Sequence, residues 1–355
     1  MIRAGAPLLR EAALESLRQG HAVAMRARLR RPRGRREVFA GAGPRSDAVA
    51  ALVIRAAAPL ALDVIRLLDA LGAAGVETVA LVNGAVDDGG LADLRARAAT
   101  VVLRDNRGFD MGAWQEAWAA LADRVPARLI LLNDSVFFAS KGLDAMVRRL
   151  CGPEDAVAAF EHRGHGAVPH LQAFALSVSD HVMRDAGWRR FWTGYAPLDS
   201  RVHAIRRGEI RLSAAIRAAA RDIHVIHATD RLRDAMRGLR VPLAEAETHL
   251  DSALRPAARR LARNGALDGA VVADLIATTS PIHGGPAYLM RHLGAPLVKK
   301  DLVYRGHFAP EAAAAFLGDV LPEDEARAAL AVLTARGRGR DLRGWDRVLH
   351  AAGVR

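Results

Sequence analysis

Short, almost wholly apolar runs alternate along this chain with longer segments in which apolar residues recur every three or four positions. Residues 49–57 read as a buried strand, 60–74 as a helix and 77–82 as a second strand. Residues 89–98 read as helical again, 100–103 as a third strand and 113–121 as the helix after it. Strands with no polar alternation, separated by helices of this length, predict an α/β fold: an open, largely parallel sheet with helices on both faces. Farther on, 155–160 and 171–177 read as two more strands flanking a glycine-rich loop at 163–166, followed by helices over 180–192, 211–221 and 231–237. An N-terminal helix over 7–28 and a basic linker precede the sheet, and helices within 310–354 cover it or form an interaction surface. The division is therefore 1–46, 47–309 and 310–355.

Polar groups collect where these strands end, which is where open α/β sheets place their ligand-binding turns. The third strand runs into Arg104-Asp105-Asn106-Arg107-Gly108-Phe109-Asp110-Met111-Gly112. Gly108 and Gly112 permit backbone geometries that a Cβ would hinder, and Asp110 reads either as a ligand acceptor or as the cap of a helix beginning near Met111. A second apolar run, 128–132, ends in Asn133-Asp134-Ser135. Asp134 there is a candidate for a hard cation, Mg²⁺ or Mn²⁺, which takes one or two carboxylates plus phosphate oxygens; the alternative is a turn that caps the strand end. No Gly-x-Gly-x-x-Gly follows the first strand and no phosphate-loop lysine motif is present, which excludes a dinucleotide cradle. Phe39 to Pro44 reads as a flexible entry loop.

These segments, with His170-Leu171-Gln172 and Ser280-Pro281-Ile282-His283, resemble the rhamnan synthesis protein F family of bacterial polysaccharide glycosyltransferases, in the right order from Val49 to Phe308. Every position of its Arg-x-Asn-x-Gly-x-Asp-x-Gly pattern is matched, by Arg104, Asn106, Gly108, Asp110 and Gly112. The resemblance implies a GT-A-like domain that moves a sugar, L-rhamnose in that family, from a nucleoside-diphosphate donor to a glycan or lipid-linked glycan acceptor of the cell envelope. It implies donor contacts from those five residues and from Asn133, Ser135, His170, Gln172, His283 and Lys299, with Asp134 as metal ligand and catalytic carboxylate. Inverting transfer needs a general base. Glu209 resembles the acid that precedes a helix in inverting transferases, though a helix-start glutamate is also stabilised by the helix dipole; Glu161 is the reserve.

The chain departs from the family in several places. Many GT-A enzymes have two aspartates where this chain has Asn133 and Ser135 about Asp134, related inverting transferases often have a second acid where Ile210 stands, and the family's closing segment usually has asparagine and threonine where Ser280 and Ile282 stand. A catalytically inactive glycan-binding or scaffolding member of an assembly complex is the alternative reading. His162, His165 and His170 lack a zinc-site scaffold, and Trp188, Phe191, Trp192 and Tyr195 read as core, with sugar stacking as the other use.

Composition narrows the setting. The net charge is +12 and is carried by arginine, with lysine only at Lys141, Lys299 and Lys300. The densest cluster, residues 26–36, is broken by Pro32 and Gly34. It reads first as a solvated linker and second as an attachment to an anionic membrane surface. Nucleic acid comes third and is not the expected partner, since no recognition motif or stacking platform accompanies the charge. Cys151 is the one cysteine, so no intrachain disulfide forms. No run of eighteen residues lacks a charge and no cleavable leader is seen, so the expected location is cytoplasmic, peripheral at the inner face of the membrane.

Overall fold

The computed structural model describes residues 5–29, 34, 36–55, 59–164, 166 and 168–353. Helix α1 (Gly5–Leu29) precedes strand β1 (Arg36–Ala40). Then follow β2 (Ala48–Arg55), α2 (Leu62–Ala73), β3 (Glu77–Asn83), α3 (Asp88–Arg97), β4 (Thr100–Arg104), α4 (Phe109–Leu121) and β5 (Arg128–Asn133). Next come β6 (Val136–Phe138), β7 (Ala156–Ala158), β8 (Glu161–His162), β9 (His170–Leu171), β10 (Ala175–Ser179) and β11 (Ile223–Val225). Strands β12 (Arg240–Pro242), β13 (Ala266–Asp268) and β14 (Leu297–Lys299) lie within a mainly helical last third.

Eight strands form one mostly parallel sheet in the order β1-β4-β3-β2-β5-β10-β7-β11. Strands β4, β3, β2 and β5 are parallel neighbours, and β10 runs against both β5 and β7. The near-continuous apolar run of β2 is explained by burial on both sides. Ala50, Leu52 and Ile54 pack with Leu67, Leu68 and Leu71 of α2; Val49, Ala51 and Val53 pack with Trp114 and Trp118 of α4 and with Trp188 and Trp192. Trp114 fixes α4 to the sheet by donating from Nε1 to the Ala51 carbonyl at 3.0 Å. The C-terminal helices Pro310–Val320 and Glu323–Thr334 cover a smaller antiparallel ribbon, β6 with β14, rather than the main sheet; Phe316, Leu317 and Leu333 share a cluster with Phe137 and Val298.

One local expectation fails. Phe39 to Pro44 is no flexible loop: Phe39 and Ala40 belong to edge strand β1, paired antiparallel with β4. Gly41 and Gly43 donate to the Ala99 and Ala98 carbonyls at 3.1 Å, and an added Cβ on Gly41 would collide with the Ala98 carbonyl, so glycine is needed for close approach. Of the basic run, Arg30, Arg31, Arg33 and Arg35 lie outside the described residues, while Arg36 opens β1. Among the described residues no helix is long and apolar enough to cross a membrane.

Candidate functional site

The strand order reverses between β2 and β5, since β3 and β4 extend the sheet on one side of β2 and β5 on the other. Such a reversal opens a crevice beyond the carboxyl ends of the strands. Arg55 and Asn133 end β2 and β5. Because β10 is reversed, its first residue, Ala175, pairs with Leu132, and the preceding segment from His170 to Phe174 reaches the same edge. Strand β14 arrives there by pairing with β6, Lys299 opposite Val136.

Four of the residues singled out from sequence form one chain of contacts at this edge. Asn133 donates from Nδ2 to Asp110 Oδ2 at 2.7 Å, and its Oδ1 accepts from the Ser135 amide at 3.1 Å and from the Ser135 hydroxyl. Lys299 Nζ donates to Ser135 Oγ at 2.9 Å and lies 4.4 Å from the centre of the Phe174 ring. Burial raises the Asp110 carboxyl above its usual range, helped by the charge of Glu209 and opposed by the Met111 amide. Burial likewise lowers the Lys299 ammonium, against the pull of Asp301, Glu209 and Asp110.

Glu209 and His170 form the second arm. His170 Nε2 faces Glu209 Oε1 at 3.1 Å and its Nδ1 faces the Val168 carbonyl at 2.7 Å. With an acceptor at each ring nitrogen, both bonds form only when the ring is an imidazolium. Burial alone would lower His170, yet Glu209 and the Val168 carbonyl raise it on balance. Burial would raise Glu209, but hydrogen bonds from His170 and from the Ala173 amide, the latter at 3.0 Å, hold it below the usual carboxylate range. The third arm joins Gln172 Nε2 to Ser280 Oγ at 3.0 Å, Ser280 to His283 Nδ1 at 2.9 Å and His283 Nε2 to Asp301 Oδ1 at 3.3 Å. Burial depresses His283, and a neutral ring that donates to Asp301 and accepts from Ser280 satisfies this chain. Asp301 is held far below the usual range: burial acts upward, but His283, Lys299 and Arg201 outweigh it. Two buried polar atoms near these arms, Tyr195 Oη and Gln172 Oε1, have no hydrogen-bond partner among the described residues.

Other predicted residues have different work. Buried Arg104 is spent internally, on Glu116 at 3.1 Å, on Asn83 and on the Arg107 carbonyl at 2.8 Å, so it braces the turn instead of reaching outward. Asn106 is exposed on that turn. Gly108, not Asp110, caps α4; its φ is +71°, its amide donates to Asp199 Oδ1 at 2.7 Å, and a Cβ would collide with Pro197. A Cβ on Gly112 would collide with the Arg107 carbonyl, so both glycines serve packing. Glu209 stands immediately before helix Ile210–Ala219, as expected, and is the last residue of a π-helical stretch, Ala204–Glu209, that runs into it; π turns of this kind are frequent at functional sites. The reserve acid Glu161 is paired with Arg163 at 2.8 Å and Arg217 at 3.0 Å. His162 lies 5.3 Å from the His170 ring, and His165 lies outside the described residues. Trp188, Trp192 and Tyr195 are core residues.

Asp134, in the turn after β5, makes none of the contacts of the three arms. Its Oδ2 accepts from the Arg55 amide at 2.9 Å, tying the end of β2 to the end of β5, and burial raises its carboxyl while the charge of Lys300 opposes the rise. Lys300 in turn is paired with Asp63 at 3.2 Å. The Asn133-Asp134-Ser135 motif does not fit a protein-held divalent cation. Its one carboxylate, Asp134, is already hydrogen-bonded and has an ammonium beside it, and the neighbouring Asn133 and Ser135 are committed to Asp110 and Lys299. No group of three or more His, Cys, Asp or Glu among the described residues is arranged to hold a metal. Asp301, Phe174 and Asp199 were missed from sequence. Asp301 had a signal, since Lys299-Lys300-Asp301 is a polar triplet ending an apolar run just as Asn133-Asp134-Ser135 is; Phe174 and Asp199 had none. A broad cleft of about 990 Å³ lies behind α4, lined by Arg36, Arg107, Gln115, Trp118, Trp192 and Tyr195, and the carboxylates, histidines and lysine of the crevice do not line it.

No protein-family model matches the chain. It is 25% identical over 147 residues to an uncharacterized protein, y4gN, of Sinorhizobium fredii, a match covering 40% of this chain and 38% of that protein. The chain thus spans well under half the length of the curated relative it matches.

Proposed function

We propose that this chain is a GT-A-like glycosyltransferase that moves a sugar from a nucleoside-diphosphate donor to a glycan acceptor with inversion. The observation that carries the reading is the convergence of Asp110, Asn133, Ser135, His170, Gln172, Glu209, His283 and Lys299, from six separate segments, at the point where the strand order reverses. Glu209 is the general base. Its carboxylate is held ionised by His170 and the Ala173 amide and retains lone pairs to take the proton of an acceptor hydroxyl as that oxygen bonds to the anomeric carbon and the bond to the diphosphate breaks. Asp110 and Asn133 present a fixed polar edge to the donor, and Tyr195 Oη and Gln172 Oε1 are buried groups that bound hydroxyls would satisfy. L-rhamnose as the sugar, a lipid-linked cell-envelope polysaccharide as the acceptor and the cytoplasmic membrane face as the place follow from the resemblance of the motifs.

The experiment is transfer from a panel of nucleotide sugars, including a nucleoside-diphosphate rhamnose, to a rhamnose-containing acceptor. Glu209→Gln should lower turnover about 10²–10⁴-fold, the usual contribution of a general base, with donor affinity retained. Glycan binding without turnover in the wild type would instead establish the inactive scaffolding reading.

A further inference from the structure

Lys299 is the last residue of β14 and Lys300 opens the turn that follows it. Their ammonium groups meet different members of the Asn133-Asp134-Ser135 turn. Lys299 Nζ sits on Ser135 Oγ at 2.9 Å; Lys300, its amide bonded to the Ser135 carbonyl at 3.0 Å, lies beside Asp134 and pairs with Asp63. Both places where a strand-end motif would grip a cation thus already hold a positive charge. The charge of Lys299 is surrounded by acids, Asp110, Glu209 and Asp301, and braced by the Phe174 ring.

We propose that Lys299 stands in for a divalent cation, so that this crevice binds the diphosphate of its donor without metal. This rests on the proposed glycosyl transfer and specifies its charge chemistry. An ammonium fixed by Ser135 offers the diphosphate two further N–H donors and one positive charge. The leaving group departs with its charge neutralised by a group already in position.

The test is thermal stabilisation and calorimetric binding of the full chain with inorganic pyrophosphate and with uridine, thymidine, guanosine and cytidine diphosphates, in EDTA and in Mn²⁺. Expected is binding of one nucleoside diphosphate in EDTA within about twofold of its affinity in Mn²⁺. Lys299→Gln should weaken it about tenfold or more, as loss of one charge-assisted hydrogen bond does. Ser135→Ala, which frees the ammonium without removing it, should weaken it less, and the matching monophosphate should lose less than the diphosphate in Lys299→Gln. Binding that appears only with Mn²⁺ overturns the proposal, as does binding in EDTA that neither substitution changes. Absence of binding by every nucleotide in both conditions overturns the glycosyltransferase reading itself, and the proposal with it. The EDTA comparison on the wild type stands even if a variant fails to fold.

Discussion

Replacing Asn133 with aspartate is the sharpest perturbation of this site, because it sets a second carboxylate directly against Asp110. Asn133 Nδ2 lies 2.7 Å from Asp110 Oδ2, so Asn133→Asp turns a hydrogen bond into a contact between two acids. Two unit charges at 2.7 Å repel by about 6 kcal/mol at an effective dielectric constant of about 20. Protonating one acid at pH 7 costs less, about 4 kcal/mol from a normal aspartate value near 3.9. The pair therefore takes up a proton, and the hydrogen bond across it recovers part of the cost, leaving a net loss of about 2–4 kcal/mol at pH 7. The sign of the pH dependence follows. The shared proton has a folded pKa raised above its unfolded value, so the folded state binds more protons than the unfolded one. The variant is hence destabilised progressively as pH rises from about 4 toward the raised pKa, by about 1.4 kcal/mol per unit. Urea denaturation between pH 4.5 and 8 measures this, with Asn133→Ala as the control that loses the amide without adding charge. Equal stability of Asn133→Asp and wild type at pH 8, or a loss that does not change with pH, would refute the coupling of Asn133 to Asp110.

Gly108→Ala should cost about 2–4 kcal/mol in urea denaturation, the left-handed penalty plus overpacking against Pro197; no loss would mean the turn relaxes freely. The His170–Glu209 pair should stabilise the wild type relative to Glu209→Gln within a pH window. Glu209, held below its ordinary value, contributes fully above about pH 4.3 and loses that contribution as pH falls through its depressed pKa, while His170, raised, contributes fully below about pH 6.5 and loses it as pH rises through its higher folded pKa. A stability difference that is flat from pH 3.5 to 8.5 would show the two groups are not ion-paired.

Local pattern determined much of this protein. The apolar runs of β2 to β5 and the helices between them were legible because strands buried on both faces have a simple code, and the polar residues at their ends marked the edge that carries the site. The strand-end motifs, read together with the family resemblance, single out Asp110, Asn133, Ser135, His170, Glu209, His283 and Lys299. What each of them touches was decided only by tertiary structure. Strand β1 directly follows the basic run and its apolar end, Val38 to Ala40, runs into glycines, so its pattern reads as linker and loop; its pairing with the edge of β4 decides its place. Asp134 and Asn133 are neighbours in sequence, yet the turn that begins after β5 takes one to the Arg55 amide and leaves the other on Asp110. Asp110 and Glu209 are held on opposite sides of their ordinary proton affinities because burial dominates one, while His170 and the Ala173 amide, brought in by the reversed strand β10, dominate the other. Hydrogen bonds between segments a hundred residues apart leave no periodic trace in the chain, so the electrostatics of the crevice became readable only once the sheet had placed its ends side by side.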